Sequence, residues 1–101
     1  MYLSSPTDHV MVFALEGDGI TLPCGIPSVK SCSSINWTMA GDLRSVVVMG
    51  GSVTAQNVPR LGLLKDCSLQ INHPQLNDAR VYTCESGALN SSVSLRVLEG
   101  K

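Results

Sequence analysis

The sequence predicts an all-β domain folded as a two-sheet sandwich, and three observations predict it. Short runs with a two-residue hydrophobic period recur, punctuated by turn residues every ~8–12 positions. The 101 residues are 44% hydrophobic but only 4% aromatic, so the core has to come from valine, leucine, isoleucine and cystine sulfur, which suits sheets better than helices. Four cysteines in so short a chain point to disulfides in an oxidising compartment. One domain, residues 1–101, accounts for the whole length, with a single core.

Each element follows from local pattern. Residues 1–8 carry no sustained period and are expected to fray. Val10-Met11-Val12-Phe13-Ala14-Leu15 reads as a first strand, left through the turn Glu16-Gly17-Asp18-Gly19. Ile20, Leu22 and Cys24 share one face by the two-residue period. A turn-rich connection over 25–34 leads to a strand at 35–39, with Ile35, Trp37 and Met39 inward and Asn36 and Thr38 outward. Ser45-Val46-Val47-Val48-Met49 is a further strand, of which one parity faces outward, and Gly50-Gly51 permits a sharp reversal after it. Residues 52–59 read either as a short edge strand or as a loop, and Pro59 bars a central-strand hydrogen bond. Residues 60–64 and 67–72 form a hairpin around Lys65-Asp66, with Cys67, Leu69 and Ile71 on one face; 73–78 is a corner that admits one helical turn. The strand through Val81-Tyr82-Thr83-Cys84 is followed by a turn at 87–90, and 91–98 returns with Val93, Leu95 and Val97 on one side.

Several function classes find no support. A net charge of −1 and a pI near 6.0 give no electrostatic footprint for nucleic acid or an anionic membrane surface. The cysteines form no Cys-x-x-Cys pair, and His9 and His73 stand near none of them, which argues against zinc. Neither histidine lies in a motif with a nucleophile, the eight carboxylates are scattered singly and there is no Gly-x-Ser-x-Gly elbow, so neither an enzyme nor a cofactor site is expected. Gly50-Gly51 reads as a hairpin turn, not a phosphate cradle. No secretory leader and no apolar run long enough to span a bilayer is present. The chain is expected to be a mature or recombinant piece of a larger secreted or membrane-anchored protein, meeting a membrane only through segments outside this sequence.

Cys24 at the end of Gly19-Ile20-Thr21-Leu22-Pro23-Cys24, Trp37 thirteen residues on, and Asp78-Ala79-Arg80-Val81-Tyr82-Thr83-Cys84 near the end together resemble an immunoglobulin domain over nearly the whole chain. The turn Glu16-Gly17-Asp18 before the first cysteine is similar to the family's. Arg60 and Asp78 stand where variable-type domains place a basic residue and an aspartate that close the bottom of the sandwich, and the 45–49 strand fits the same type. Ser91-Ser92-Val93-Ser94-Leu95 lacks the joining-segment Phe-Gly-x-Gly bulge of rearranging antigen receptors. Cys32-Ser33-Ser34 before Trp37, and Asp66-Cys67-Ser68-Leu69 before the final cysteine, resemble the variable-type domains of bony-fish innate immune receptors.

The resemblance implies an immunoglobulin-like Greek-key sandwich of variable type with two disulfides. Cys24 joins Cys84 between the sheets beside Trp37, and Tyr82 sends its hydroxyl to the backbone of the preceding corner. In that frame Cys32 and Cys67 lie at the same end of the sandwich and pair as a second disulfide; either it stiffens a ligand-facing loop, or it compensates for a core poor in aromatics. Of the three connectivities four cysteines allow, the other two deprive Trp37 of its usual sulfur neighbour. Function is then expected on a surface. One candidate is the sheet face exposing Asn36, Thr38, Val81, Thr83, Glu85, Ser94 and Arg96 with one parity of Val46 to Met49 beside them, mostly small and hydroxylated with a hydrophobic edge; the alternative is that this is an ordinary solvated face. A second lies at the loop end, 26–31 and 87–90, with Leu89 as an apolar tip. Asn36-Trp37-Thr38 and Asn90-Ser91-Ser92 are glycosylation sequons, Asn90 being the better acceptor. The implied function is the extracellular, ligand-binding domain of a single-pass cell-surface immune-type receptor, contacting a protein partner or a like domain, with a homodimer among the possibilities; the alternative is a homophilic adhesion or spacer module.

Overall fold

The structure, a computed structural model, describes residues 10–26, 31–41 and 45–99. The N-terminal residues expected to fray, and 27–30 of the candidate loop surface, lie outside the described residues. Nine strands are found among those described: β1 Val10–Leu15, β2 Ile20–Leu22, β3 Asn36–Met39, β4 Ser45–Met49, β5 Ser52–Val53, β6 Leu61–Leu63, β7 Leu69–Ile71, β8 Val81–Ser86 and β9 Leu89–Leu98. They make a six-stranded sheet in the order β1-β9-β8-β3-β4-β5 and a three-stranded sheet in the order β2-β7-β6. β1 lies parallel to β9, and every other neighbouring pair is antiparallel.

The two sheets bury their facing sides against each other. Trp37, Tyr82, Cys84, Val93 and Leu95 of the large sheet meet Leu22, Leu61, Leu69 and Ile71 of the small one in one cluster. Cys24 and Cys84 join the sheets, Cα atoms 5.5 Å apart, and Cys84 is the cross-strand partner of Trp37. The fold is an immunoglobulin-like sandwich with two disulfides, the second joining Cys32 and Cys67.

Strict alternation fails in β4. Val46 and Met49 are exposed while Val47 and Val48 are both buried, so no single parity faces outward. The cause is a register shift: Trp37 pairs Val48 but Thr38 pairs Val46, leaving Val47 as a bulge residue that turns inward. The 52–59 stretch holds both readings at once, with the two-residue β5 followed by a 3-10 turn at Ala55–Asn57. β4 and β5 are joined by Gly50-Gly51 alone, with φ of 59° and 83°, the left-handed pair that a tight two-residue hairpin demands. A Cβ on Gly51 would fall 2.5 Å from the Cys32 carbonyl oxygen, so this glycine is also fixed by close approach.

The β6–β7 hairpin is tighter in chemistry than its sequence suggests. Its loop is Lys65-Asp66-Cys67, with Leu64 N–H donating to Ser68 O at 2.9 Å and Cys67 N–H to Leu64 O at 2.8 Å. Cys67 has φ 70°, the left-handed position that closes a three-residue loop and usually belongs to glycine. Cys67 therefore sits in the loop before β7, not in strand alternation with Leu69 and Ile71. Its disulfide to Cys32 and its carbonyl, which accepts the Trp37 Nε1–H at 3.0 Å, hold the conformation against a strain of ~1 kcal/mol.

Candidate functional site

The small sheet and large sheet meet at a corner held by Asp78. A 3-10 turn, Leu76–Asp78, ends on this residue. Its buried carboxylate accepts both Arg60 guanidinium nitrogens, at 2.9 and 3.0 Å, and the Gln75 backbone N–H at 2.8 Å. Hydrogen bonding to Asp78 raises the Arg60 pKa above its ordinary value, against the opposing pull of burial. Tyr82 donates its hydroxyl to the Asp78 backbone oxygen at 2.8 Å. These groups hold the corner together.

Burial, and then the charge of Asp78, push the Tyr82 phenol well above its usual value. Above about pH 10 an unfolded tyrosine gives up a proton that the folded one keeps. The unfolded state then binds fewer protons, so stability should fall with rising pH, by up to about 1.4 kcal/mol per pH unit from this group. Tyr82→Phe should cost ~1 kcal/mol near neutrality through the lost hydrogen bond yet flatten that alkaline loss. Urea unfolding of both proteins between about pH 7 and pH 11 checks it; parallel alkaline limbs would refute the assignment to Tyr82.

The outer face of the six-stranded sheet is where surface chemistry remains, with Asn90, Arg96, Met11, Phe13, Met49 and Leu98 exposed on it. Cross-strand register arranges it in rows. Asn36, Glu85 and Asn90 form the first, across β3, β8 and β9; Thr38, Thr83 and Ser92 the second. Val81 and Ser94 continue into Met11 of β1, and then Arg96 lies beside Phe13 and Leu98 beside Leu15. Along β8 and β9 the face grades from amide and carboxylate through hydroxyls to an apolar margin on β1, and on the β4 side exposed Val46 and Met49 flank the polar rows. In the hydroxyl row Thr83 and Ser92 share a hydrogen bond of 3.1 Å.

Residues singled out from sequence fall unequally on this face. Asn36, Thr83, Glu85 and Ser94 are half-buried and Arg96 is exposed. Thr38 is not available: it is only 6% exposed, lying on β3 between Thr83 of β8 and Val46 of β4, just past the bulge. Asn36 is engaged, its Oδ1 accepting the Gly50 N–H at 2.8 Å. At the loop end Ile26 is buried, which removes it from that candidate surface. Leu89 and Asn90 belong to β9, not to a turn, because the β8–β9 connection is only Gly87-Ala88; Leu89 is nevertheless 57% exposed.

The apolar margin on β1 escaped the sequence reading; the hydrophobic edge expected from the 46–49 run is present, as Val46 and Met49. Met11 is 49%, Phe13 59%, Leu15 47% and Leu98 50% exposed. A signal was present: Val10–Leu15 is apolar at both parities, although an outer sheet strand has only one side to bury.

The fold is that of immunoglobulin domains from receptors and adhesion proteins. The extracellular domain of the voltage-gated sodium channel β4 subunit is similar with a TM-score of 0.72 at 18% identity, over 100% of this chain and 94% of that one. The second immunoglobulin domain of the mouse polymeric immunoglobulin receptor gives 0.74 at 21%, over 93% and 100%. The CD2-binding domain of CD58 gives 0.71 at 18%, over 90% of this chain and 54% of that one. No protein-family model matches the sequence, and comparison with curated proteins finds no match.

Proposed function

We propose that this domain is the extracellular, ligand-binding part of a cell-surface immune-type receptor, of the variable-type kind its sequence resembles in bony fish, and that it contacts a protein partner through the outer face of the six-stranded sheet. The observation that carries the reading is that this face sets exposed and half-exposed polar side chains between two apolar margins, Val46 and Met49 on β4 and Met11, Phe13 and Leu15 on β1, the mixed apolar and polar surface of a non-obligate protein contact. The variable-type assignment is supported by β4 and β5, which extend the three-strand sheet β9-β8-β3 beyond its constant-type complement. Two disulfides support an extracellular address. A glycan on Asn90 would cover the Asn36–Glu85 row and leave the Arg96–Phe13 end open.

Adhesion through a like domain is the second reading, favoured by the apolar margin on β1. Among the neighbours in fold, the sodium-channel β4 domain forms parallel homodimers with a role in cell–cell adhesion, and the CD58 domain binds CD2.

A test of the receptor reading is staining of a panel of immune and epithelial cells with a labelled tetramer of the domain. The double variant Thr83→Lys/Arg96→Glu, both on the outer face, should lower staining at least tenfold, a loss on the order of 1.4 kcal/mol, while leaving the melting curve within a few degrees. Staining that survives the double variant refutes the face assignment.

A further inference from the structure

We infer that β1 is a self-association edge through which two copies of this chain pair antiparallel, joining their six-stranded sheets. The inference rests on the reading of this sheet as a recognition surface and names its partner.

Two independent features lead there. The first is the backbone edge. β1 pairs β9 on one side, and no strand pairs its other side among the described residues. Exposed edges are ordinarily guarded by charge, proline, a bulge or shortness. The opposite edge of the same sheet, β5, is two residues long. The edges of the small sheet are three residues long; β2 runs into Pro23, and β6 carries Gly62 and follows Pro59 closely. β1 is six residues, Val-Met-Val-Phe-Ala-Leu, with none of these guards.

The second feature is the side chains. Met11, Phe13 and Leu15 point outward from that edge with Leu98 beside them, each about half exposed. Taking ~200 Å² for a large apolar side chain, they leave on the order of 400 Å² of apolar surface in water on each copy. Edge pairing covers only part of that surface, since side chains on a continued sheet still face water and Leu98 lies one strand in from the seam, so the contact belongs at the transient end of protein complexes. Backbone pairing along the edge supplies what the area lacks, as in β-augmentation.

Orientation and register follow. Glu16 and Asp18 sit in the turn that leaves β1. Parallel pairing would set the two acidic turns side by side; antiparallel pairing sends them to opposite ends. Residues opposite each other in an antiparallel pair share a face, so only registers that match parity are allowed. With the twofold axis at Phe13, Phe13 faces its copy, Met11 faces the copy's Leu15, and Val12 faces the copy's Ala14. Every outward apolar side chain of β1 then has an apolar partner, with an aromatic pair at the centre.

The test is sedimentation velocity of the whole chain from about 10 μM to about 1 mM, the range expected for a transient contact, with amide hydrogen exchange at both ends of the range. The parent protein should shift from monomer toward dimer, and amides of Val10–Leu15 should exchange more slowly at high concentration. Phe13→Glu should stay monomeric with an unchanged melting temperature, whereas Met49→Glu, exposed at the far side of the same sheet, should dimerise like the parent. A parent that remains monomeric throughout, a dimer abolished by Met49→Glu but not by Phe13→Glu, or a dimer without slowed exchange in β1 would each overturn the inference. A monomer whose tetramers still stain cells in a manner sensitive to Thr83→Lys/Arg96→Glu would sink this pairing alone and leave the receptor reading standing.

Discussion

Replacing Cys24 and Cys84 together by alanine is expected to abolish stable folding at about 37 °C. The bond closes a loop 60 residues apart in sequence, for which the chain-entropy account gives about 4 kcal/mol. A domain of this size has only ~5–15 kcal/mol in total. The Cys32–Cys67 bond, 35 residues apart, restricts the unfolded chain almost as strongly, because the cost of loop closure grows only with the logarithm of length. The two differ in packing. Cys84 is fully buried beside Trp37 between the sheets, so its removal also leaves a void. Cys67 is buried as well, and Cys24 and Cys32 are alike half-buried, so the difference lies in place: Cys84 sits between the sheets, Cys67 in the loop before β7. Circular dichroism melts of the two double-alanine variants should therefore rank Cys24→Ala/Cys84→Ala as the more damaging, and the reverse order would contradict the packing described for this bond.

Arg60→Ala should have the next largest effect, about 2–3 kcal/mol. It leaves the buried Asp78 carboxylate without its counter-charge, a loss that reaches ~3–5 kcal/mol when both partners are buried. The Arg60 side chain is 43% exposed, so water already screens part of the interaction and the figure is discounted accordingly. Arg60→Lys keeps the charge but not the two-pronged fork, and should cost ~1 kcal/mol. The double variant Arg60→Ala/Asp78→Ala should cost clearly less than the sum of its single changes, since the second removes the charge that the first orphaned. Urea denaturation gives all four numbers; additivity within ~0.5 kcal/mol would mean that the two side chains act independently.

Much of this architecture was legible because its cysteines, tryptophan and tyrosine resemble those of an immunoglobulin domain in order and spacing. Cys24, Trp37, Tyr82 and Cys84 are each buried or half-buried in the core, and β1 and β4 span Val10–Leu15 and Ser45–Met49, the runs that alternation or β-branched composition marks. Legibility fails where backbone geometry breaks the period. The bulge at β3–β4 puts Val47 and Val48 both inside and closes off Thr38. Nothing in a valine triplet announces which member is extra. The left-handed conformation of Cys67 was hidden by residue type, because that place in the loop is commonly glycine's. On the candidate face, Thr83, Glu85, Ser94 and Arg96 could be placed from β8 and β9 alone. Its apolar margin on β1 could not be, because it depends on β1 docking against β9 and so presenting Met11, Phe13 and Leu15 outward.

That docking has a mechanical side. Because β1 and β9 run in the same direction over six paired positions, a tug on the chain before Val10 opposed by one after Leu98 slides the two strands past each other lengthwise. All their bridging hydrogen bonds are strained together, where antiparallel neighbours pulled at one end would peel apart singly. Were that seam to slip, the Cys24–Cys84 bond would still keep the enclosed segment from paying out, so a tether built from this domain would lengthen only by what lies outside the cystine.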